Sequence, residues 1–179
     1  MQSEPTDIAG VYLVPLETHP DDRGAFSELY RLEWILGGDP MIQANLSHSR
    51  TGVLRGLHFH REQADYWVLL SGVEFVGLYD LRVGSPTEGR KLELTLDAAE
   101  GRRGLYIPPG VAHGFLARTD VDLLYLVDRS FTGADEHGIA WNDTVVGIEW
   151  PSTEPILSDR DRANPSLAEV SEDRPRYPG

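Results

Sequence analysis

The stretch YWVLLSGVEFVGLYDLR, residues 66–82, reads as two β-strands meeting at Ser71-Gly72. Both halves are rich in aliphatic and aromatic residues, and a Ser-Gly pair between such runs is turn chemistry. The following RKLELTLD (90–97) alternates: Leu92, Leu94 and Leu96 fall on one face, Lys91, Glu93, Thr95 and Asp97 on the other. That period of two marks a half-buried strand. Upstream, GVYLVPL (10–16), AFSELY (25–30), MIQANLSHS (41–49) and VLRGLHFH (53–60) carry partial alternation; downstream, GLYIPPG, AHGFLAR and VDLLYLVDRS continue the series. Helix is expected only over RLEWILGG (31–38) and in a short piece near 159–170. Many short strands punctuated by Gly, Pro and Asp predict an all-β sandwich or jelly roll with short flanking helices. No repeat or linker divides the 179 residues, so a single domain is expected, with the polar 170–179 end loosely held.

The formal net charge of -13 disfavours nucleic acid and anionic membrane as partners, but an anionic small ligand remains open where arginines gather. Runs such as WVLL and VDLLYLV are too short to span a bilayer, and MQSEPTDIAG has no apolar signal-peptide core. With no cysteine, disulfides and thiolate chemistry are excluded and a cytoplasmic location is permitted.

The candidate chemistry lies in GLHFHREQADYW, residues 56–67. On a strand His58 and His60 project to one side while Phe59 faces the other. A lone histidine pair is more often structural or solvated than metal-binding. Here, however, Asp65 and Gly72 follow, and PPGVAH supplies His113. This series resembles the two motifs of the cupin superfamily, whose metal-binding members would hold one divalent ion through His58, His60, Asp65 and His113. Three imidazoles and a carboxylate suit zinc, iron, nickel or manganese.

A longer resemblance runs through the same residues. DDRGAFSELY, QANLSHSRTGVLRGLHF, LYDLRVGSPT, YIPPGVAHGF, HGIAWND, IEWP and ILSDRD look like the dTDP-4-dehydrorhamnose 3,5-epimerase family, in the family's order from about residue 8 to 161. The resemblance implies a cupin jelly roll that works without metal on a dTDP-sugar, as a homodimer exchanging N-terminal strands. It implies that His58 removes the proton beside the C4 ketone, Asp161 orients it, and Tyr125 reprotonates the opposite face. It assigns Arg23, Phe26 and Glu28 to the nucleotide, partly from the neighbouring subunit. Gln43 and Asn45 would hydrogen-bond sugar or base, Arg55 would meet the pyrophosphate, and His113 would be a second pocket histidine. The roles are chemically sensible. A neutral imidazole can accept a carbon-bound proton near neutral pH, a carboxylate partner stabilises the imidazolium, and inversion needs two groups on opposite faces.

The chain departs from the family at two substrate-pocket positions. His60 stands where the family has glutamine, and Asp65 where it has a lysine that supports the enolate. Loss of one such electrostatic group costs on the order of 10²–10³ in rate. Three readings stay open: another group, Arg55 or His60, supports the enolate; a divalent ion does so; or the pocket serves a different step, such as ketoisomerisation, or binding alone.

Overall fold

The computed structural model describes residues 3–35, 37–130, 132–170 and 174–178. The stretch opened above forms β7 (Asp65–Ser71) and β8 (Val73–Asp80), joined at Gly72 with φ 84°. They do not pair with each other: the turn carries the chain from one sheet to the next. A Cβ at Gly72 would run into the Asp120 carbonyl and the Thr119 side chain, so only glycine fits.

The six-stranded sheet runs β1 (Glu4–Pro5), β2 (Tyr12–Pro15), β10 (Arg103–Ile107), β7, β12 (Val121–Val127), β5 (Gln43–Ser49). The five-stranded sheet runs β13 (His137–Gly138), β6 (Leu54–Phe59), β11 (Val111–Ala117), β8, β9 (Lys91–Asp97). Every named pairing is antiparallel. The two sheets face each other in a cupin-like sandwich, as the alternation predicts.

Apolar layers cover both sides of each sheet, which explains why most strands read as near-continuous hydrophobic runs. On β7, Trp67 and Leu69 point into the inter-sheet core with Val76, Leu78, Leu105, Phe115 and Leu123. Tyr66 and Val68 point outward, against Trp34 and Ile35. On the far side, Leu57, Phe59 and Tyr79 pack under Ile139, Val146 and Ile148. Leu92, Leu94 and Leu96 of β9 turn inward together, as their spacing requires.

The helix expected over 31–38 is a single 3₁₀ turn at Leu32–Trp34. No side chain caps it, and Gly37 (φ 76°) precedes Gly38, Asp39 and Pro40, residues that disfavour helix continuation; Leu36 lies outside the described residues. Burial of Trp34 and Ile35 on the sheet, rather than helix propensity, fixes this segment. Near 159–170 there are two short helices, α1 (Asp159–Arg162) and α2 (Leu167–Val170), separated by Pro165. Of the C-terminal end, residues 174–178 are tied down: the Val83 amide donates to the Pro175 carbonyl, the Tyr177 amide donates to that of Val83, and Arg82 lies 5.0 Å over the Tyr177 ring. Among the described residues no helix is long and apolar enough to cross a membrane.

Glu74 on β8 is fully buried, and neither carboxyl oxygen has a hydrogen-bond partner. Burial pushes its pKa up to about 8, so the folded protein holds a proton there that the unfolded chain releases near pH 4.5. Stability from this proton is complete below the unfolded value and is lost as pH rises through about 8. Glu74→Met is therefore expected to raise the urea midpoint, with the gain growing from about pH 5 to about pH 8. Equal midpoint changes across that range would contradict the buried neutral acid.

Candidate active site

The inward faces of the two sheets change character along their length. At one end they are hydrocarbon; at the other, polar side chains line a cavity of about 300 Å³. Trp67, Phe115 and Leu123 belong to both regions, so the cavity floor is the core itself. Gln43 and Asn45 enter from β5, Tyr125 from β12, Asp65 from β7, Arg55 and His58 from β6, and His113 from β11, with His60 just past β6. Gln43, Asn45, Arg55, His60, Asp65 and His113 thus line the same cavity as His58 and Tyr125.

Arg55 and His58 are three apart, which on a regular strand would put them on opposite faces. The β6–β11 ladder shifts register between His113 and Phe115, opposite Gly56. Gly56 and Gly114 approach so closely there that a Cβ on Gly56 would lie 2.7 Å from the Gly114 Cα. The shift resets the strand's phase and lets both side chains reach the cavity.

His58 Nε2 lies 2.5 Å from Asp161 Oδ1, although 103 residues separate them. Ser158 caps α1 by accepting the Asp161 amide proton at 3.0 Å, and its hydroxyl donates to Asp161 Oδ2 at 2.8 Å. The carboxylate is thereby fixed at both oxygens. Burial would raise its pKa, but the hydrogen bond and charge of His58, with Ser158 and Arg160, hold it below the ordinary carboxylate value. With Nε2 engaged, Nδ1 is the His58 nitrogen left for other chemistry. Across the cavity, burial and the charges of Asp65 and Glu136 push the Tyr125 phenol up against the opposing pull of Arg55, keeping its proton in place at neutral pH.

The set of three histidines and one acid expected for a metal does not assemble as such. His58 is turned to Asp161, whereas ligand atoms of His60, Asp65 and His113 gather within 4.8 Å of one another, all buried. His60 Nδ1 donates to the Asp135 carbonyl at 2.7 Å, and His113 Nδ1 donates to that of Val111 at 3.0 Å. Asp65 accepts from Gln63 Nε2 at 2.8 Å and Trp67 Nε1 at 3.0 Å. Burial, with His60 and His58 close by, lowers the His113 pKa to about 4 against the pull of Asp65.

At the mouth, Arg55 is held by Ser49 Oγ (2.8 Å) and the His48 carbonyl (3.3 Å), with no carboxylate paired to it among the described residues. Gln43 Nε2 donates to Asn45 Oδ1 at 2.9 Å. Arg160 and Glu136 also line the cavity and pair at 2.7 Å. The sequence reading passed over this pair, although Arg160 sits inside LSDRD beside Asp161.

Arg23, Phe26 and Glu28 are not part of this cavity in their own chain. Arg23 pairs with Asp21 and Glu28 with Arg31, while Phe26 is 64% exposed. Arg23 and Phe26 belong to the hairpin of β3 (Thr18–Asp21) and β4 (Gly24–Ser27), which forms its own two-stranded sheet; Glu28 directly follows it.

A family model described as dTDP-4-dehydrorhamnose 3,5-epimerase matches residues 5–169. The chain belongs to that family. It is thus an isomerase of the carbohydrate-epimerase type. A dTDP-4-dehydrorhamnose 3,5-epimerase of Streptomyces griseus is 40% identical over 175 residues, covering 93% of this chain and 86% of the relative. The crystal structure of NovW, a 4-keto-6-deoxy sugar epimerase from the novobiocin cluster of Streptomyces spheroides, superposes with a TM-score of 0.91 at 37% identity, covering 98% of this chain and 92% of that one. A 3'-monoepimerase from Streptomyces bikiniensis, solved with dTDP-quinovose, gives 0.89 at 36% identity over 97% and 93% of the two chains.

His58→Ala removes the interaction that opposes burial at Asp161. The Asp161 carboxyl is then expected to titrate upward, above its ordinary value, in a carboxyl-carbon NMR titration. A carboxyl that stayed depressed would show that Ser158 and Arg160 suffice.

Proposed function

We propose that this chain epimerises a dTDP-4-keto-6-deoxysugar at C3, C5 or both. The observation carrying the reading is His58, paired with Asp161, on one wall of a cavity whose other wall bears a protonated tyrosine. His58 Nδ1 takes the proton from the carbon beside the ketone, and the electron pair moves to the carbonyl oxygen as an enolate. Asp161 stabilises the imidazolium and fixes the ring's orientation. Tyr125, entering from the opposite sheet, delivers a proton to the other face, and the electron pair returns to carbon with the configuration inverted. Exchange of the imidazolium and tyrosinate with solvent resets the site. These proton transfers call on no organic cofactor.

Arg55, a cation without a carboxylate partner among the described residues, suits the diphosphate, and Gln43 with Asn45 suits sugar or base hydrogen bonding. The hairpin carrying Arg23 and Phe26 would complete a partner's nucleotide site rather than its own. A homodimer is supported by an apolar outer sheet surface: Ile42 and Leu46 are 61% and 65% exposed, and Leu46 lies beside Leu124. A cytoplasmic enzyme is the form this reading takes.

Incubation with dTDP-4-keto-6-deoxyglucose in deuterated water tests the chemistry. Deuterium should enter at C3, C5 or both, and His58→Asn should slow entry by on the order of 10²–10⁴. Tyr125→Phe should uncouple the steps: exchange continues with retention through His58, while inverted product falls away. Nucleotide binding without any exchange would refute the enzymatic reading. For the assembly, Leu46→Lys should yield monomers by light scattering and raise KM for the nucleotide sugar; monomers with unchanged KM would remove the hairpin from the partner's site.

A further inference from the structure

His60, Asp65 and His113 present an electrostatic problem that the proton-transfer scheme leaves unsolved. A backbone carbonyl can only accept, so each histidine Nδ1 bonded to one must carry the hydrogen. Each ring, when neutral, then presents a bare Nε2 lone pair. Both lone pairs face the same carboxylate: His60 Nε2 is 3.8 Å from Asp65 Oδ1, and His113 Nε2 is 3.8 Å from Asp65 Oδ2. These distances are too long for hydrogen bonds. Three acceptor groups thus converge, buried, with no donor between them among the described residues.

The supports around them are fixed. Asp135 accepts the amide protons of Arg61, Glu62 and Gln63 while its carbonyl anchors His60. Gln63 and Trp67 orient the Asp65 carboxylate, and the Trp67 ring meets the His113 ring edge-on at 5.3 Å. N–H to carbonyl and N–H to carboxylate contacts of this kind hold metal ligands in register. Ligands bonded at about 2.1 Å to a tetrahedral ion lie about 3.4 Å apart, a small contraction of the spacing found here.

We propose that His60, Asp65 and His113 bind one divalent first-row transition ion in the wall of the cavity. A three-ligand set of two imidazoles and a carboxylate leaves a coordination position for a ligand oxygen. His58 is not needed for it, because its Nε2 is committed to Asp161. One chain can therefore keep an imidazole base and hold an ion beside it. The binding site stands on side-chain geometry alone; its use rests on the epimerase reading, in which the ion accepts the negative charge that develops on the ketone oxygen.

Tag-free protein stripped with chelator and dialysed should take up one equivalent of Zn²⁺ per chain by calorimetry, and Co²⁺ should give visible bands of nitrogen and oxygen ligation. His60→Ala and Asp65→Ala should each weaken Zn²⁺ binding by about 100-fold or more, whereas His58→Asn should leave it unchanged. Unfolding curves of all three variants confirm that loss of binding is not loss of fold, and the Co²⁺ spectrum of the unmutated chain tests ligation independently of any variant. No stoichiometric uptake, or uptake indifferent to His60→Ala and Asp65→Ala, overturns the site. Deuterium exchange separates the claims. Exchange undiminished in stripped protein overturns the ion's role while the epimerase reading stands. Stoichiometric binding with no exchange under any metal loading upholds the site and overturns the reading on which its use rests.

Discussion

The contact between His58 and Asp161 depends on nearly everything else in the molecule. One partner lies on an inner strand and the other on a four-residue helix near the C-terminus, too short to hold itself together in isolation. The helix is set by its Ser158 cap and by the bridge of Ile156 to Val53, immediately before the strand that carries His58. A buried carboxylate is costly unless hydrogen-bonded, and here both oxygens are engaged. The pairing is therefore both a structural clasp and the feature that gives a histidine a fixed orientation.

The cavity above that clasp exists because the two sheets fill their interface with hydrocarbon along only part of its length. Trp67, Phe115 and Leu123 close the floor, and beyond them the same alternation delivers polar side chains. The glycines at 56 and 114 contribute by what they lack, allowing two strands to approach and shift register so that Arg55 and His58 share one face. Within the cavity the charges divide into zones: a cation at the mouth held by a hydroxyl and a carbonyl, an ion pair at the rim, and buried nitrogen and carboxylate acceptors in the wall.

Much of this was legible in the sequence. Alternation in RKLELTLD and the punctuated apolar runs gave the strands, because a side chain's face follows from position parity on any strand. The shared location of His58 and His60 followed from the same rule. The helix over 31–38 failed because its apolar residues are held by the outer sheet face rather than by helical spacing. The β7–β8 turn was visible, yet its role in crossing between sheets was not, since a turn's residues do not record which strands flank it. Arg160 and Glu136 went unnoticed because neither carries a spacing signal; they pair only through the meeting of α1 with the segment before β13.

The sequence by itself determined the strand content, the family and the residue types available for proton transfer, because these depend on local pattern and ordered motifs. Tertiary structure decided the allegiance of the histidines. The spacing HxH treats His58 and His60 alike, but closure of the C-terminal segment brings Asp161 to the first, whereas the Asp135 carbonyl turns the second toward Asp65 and His113. Contacts across 75 and 103 residues made that division, and no local rule of side-chain direction could have supplied it.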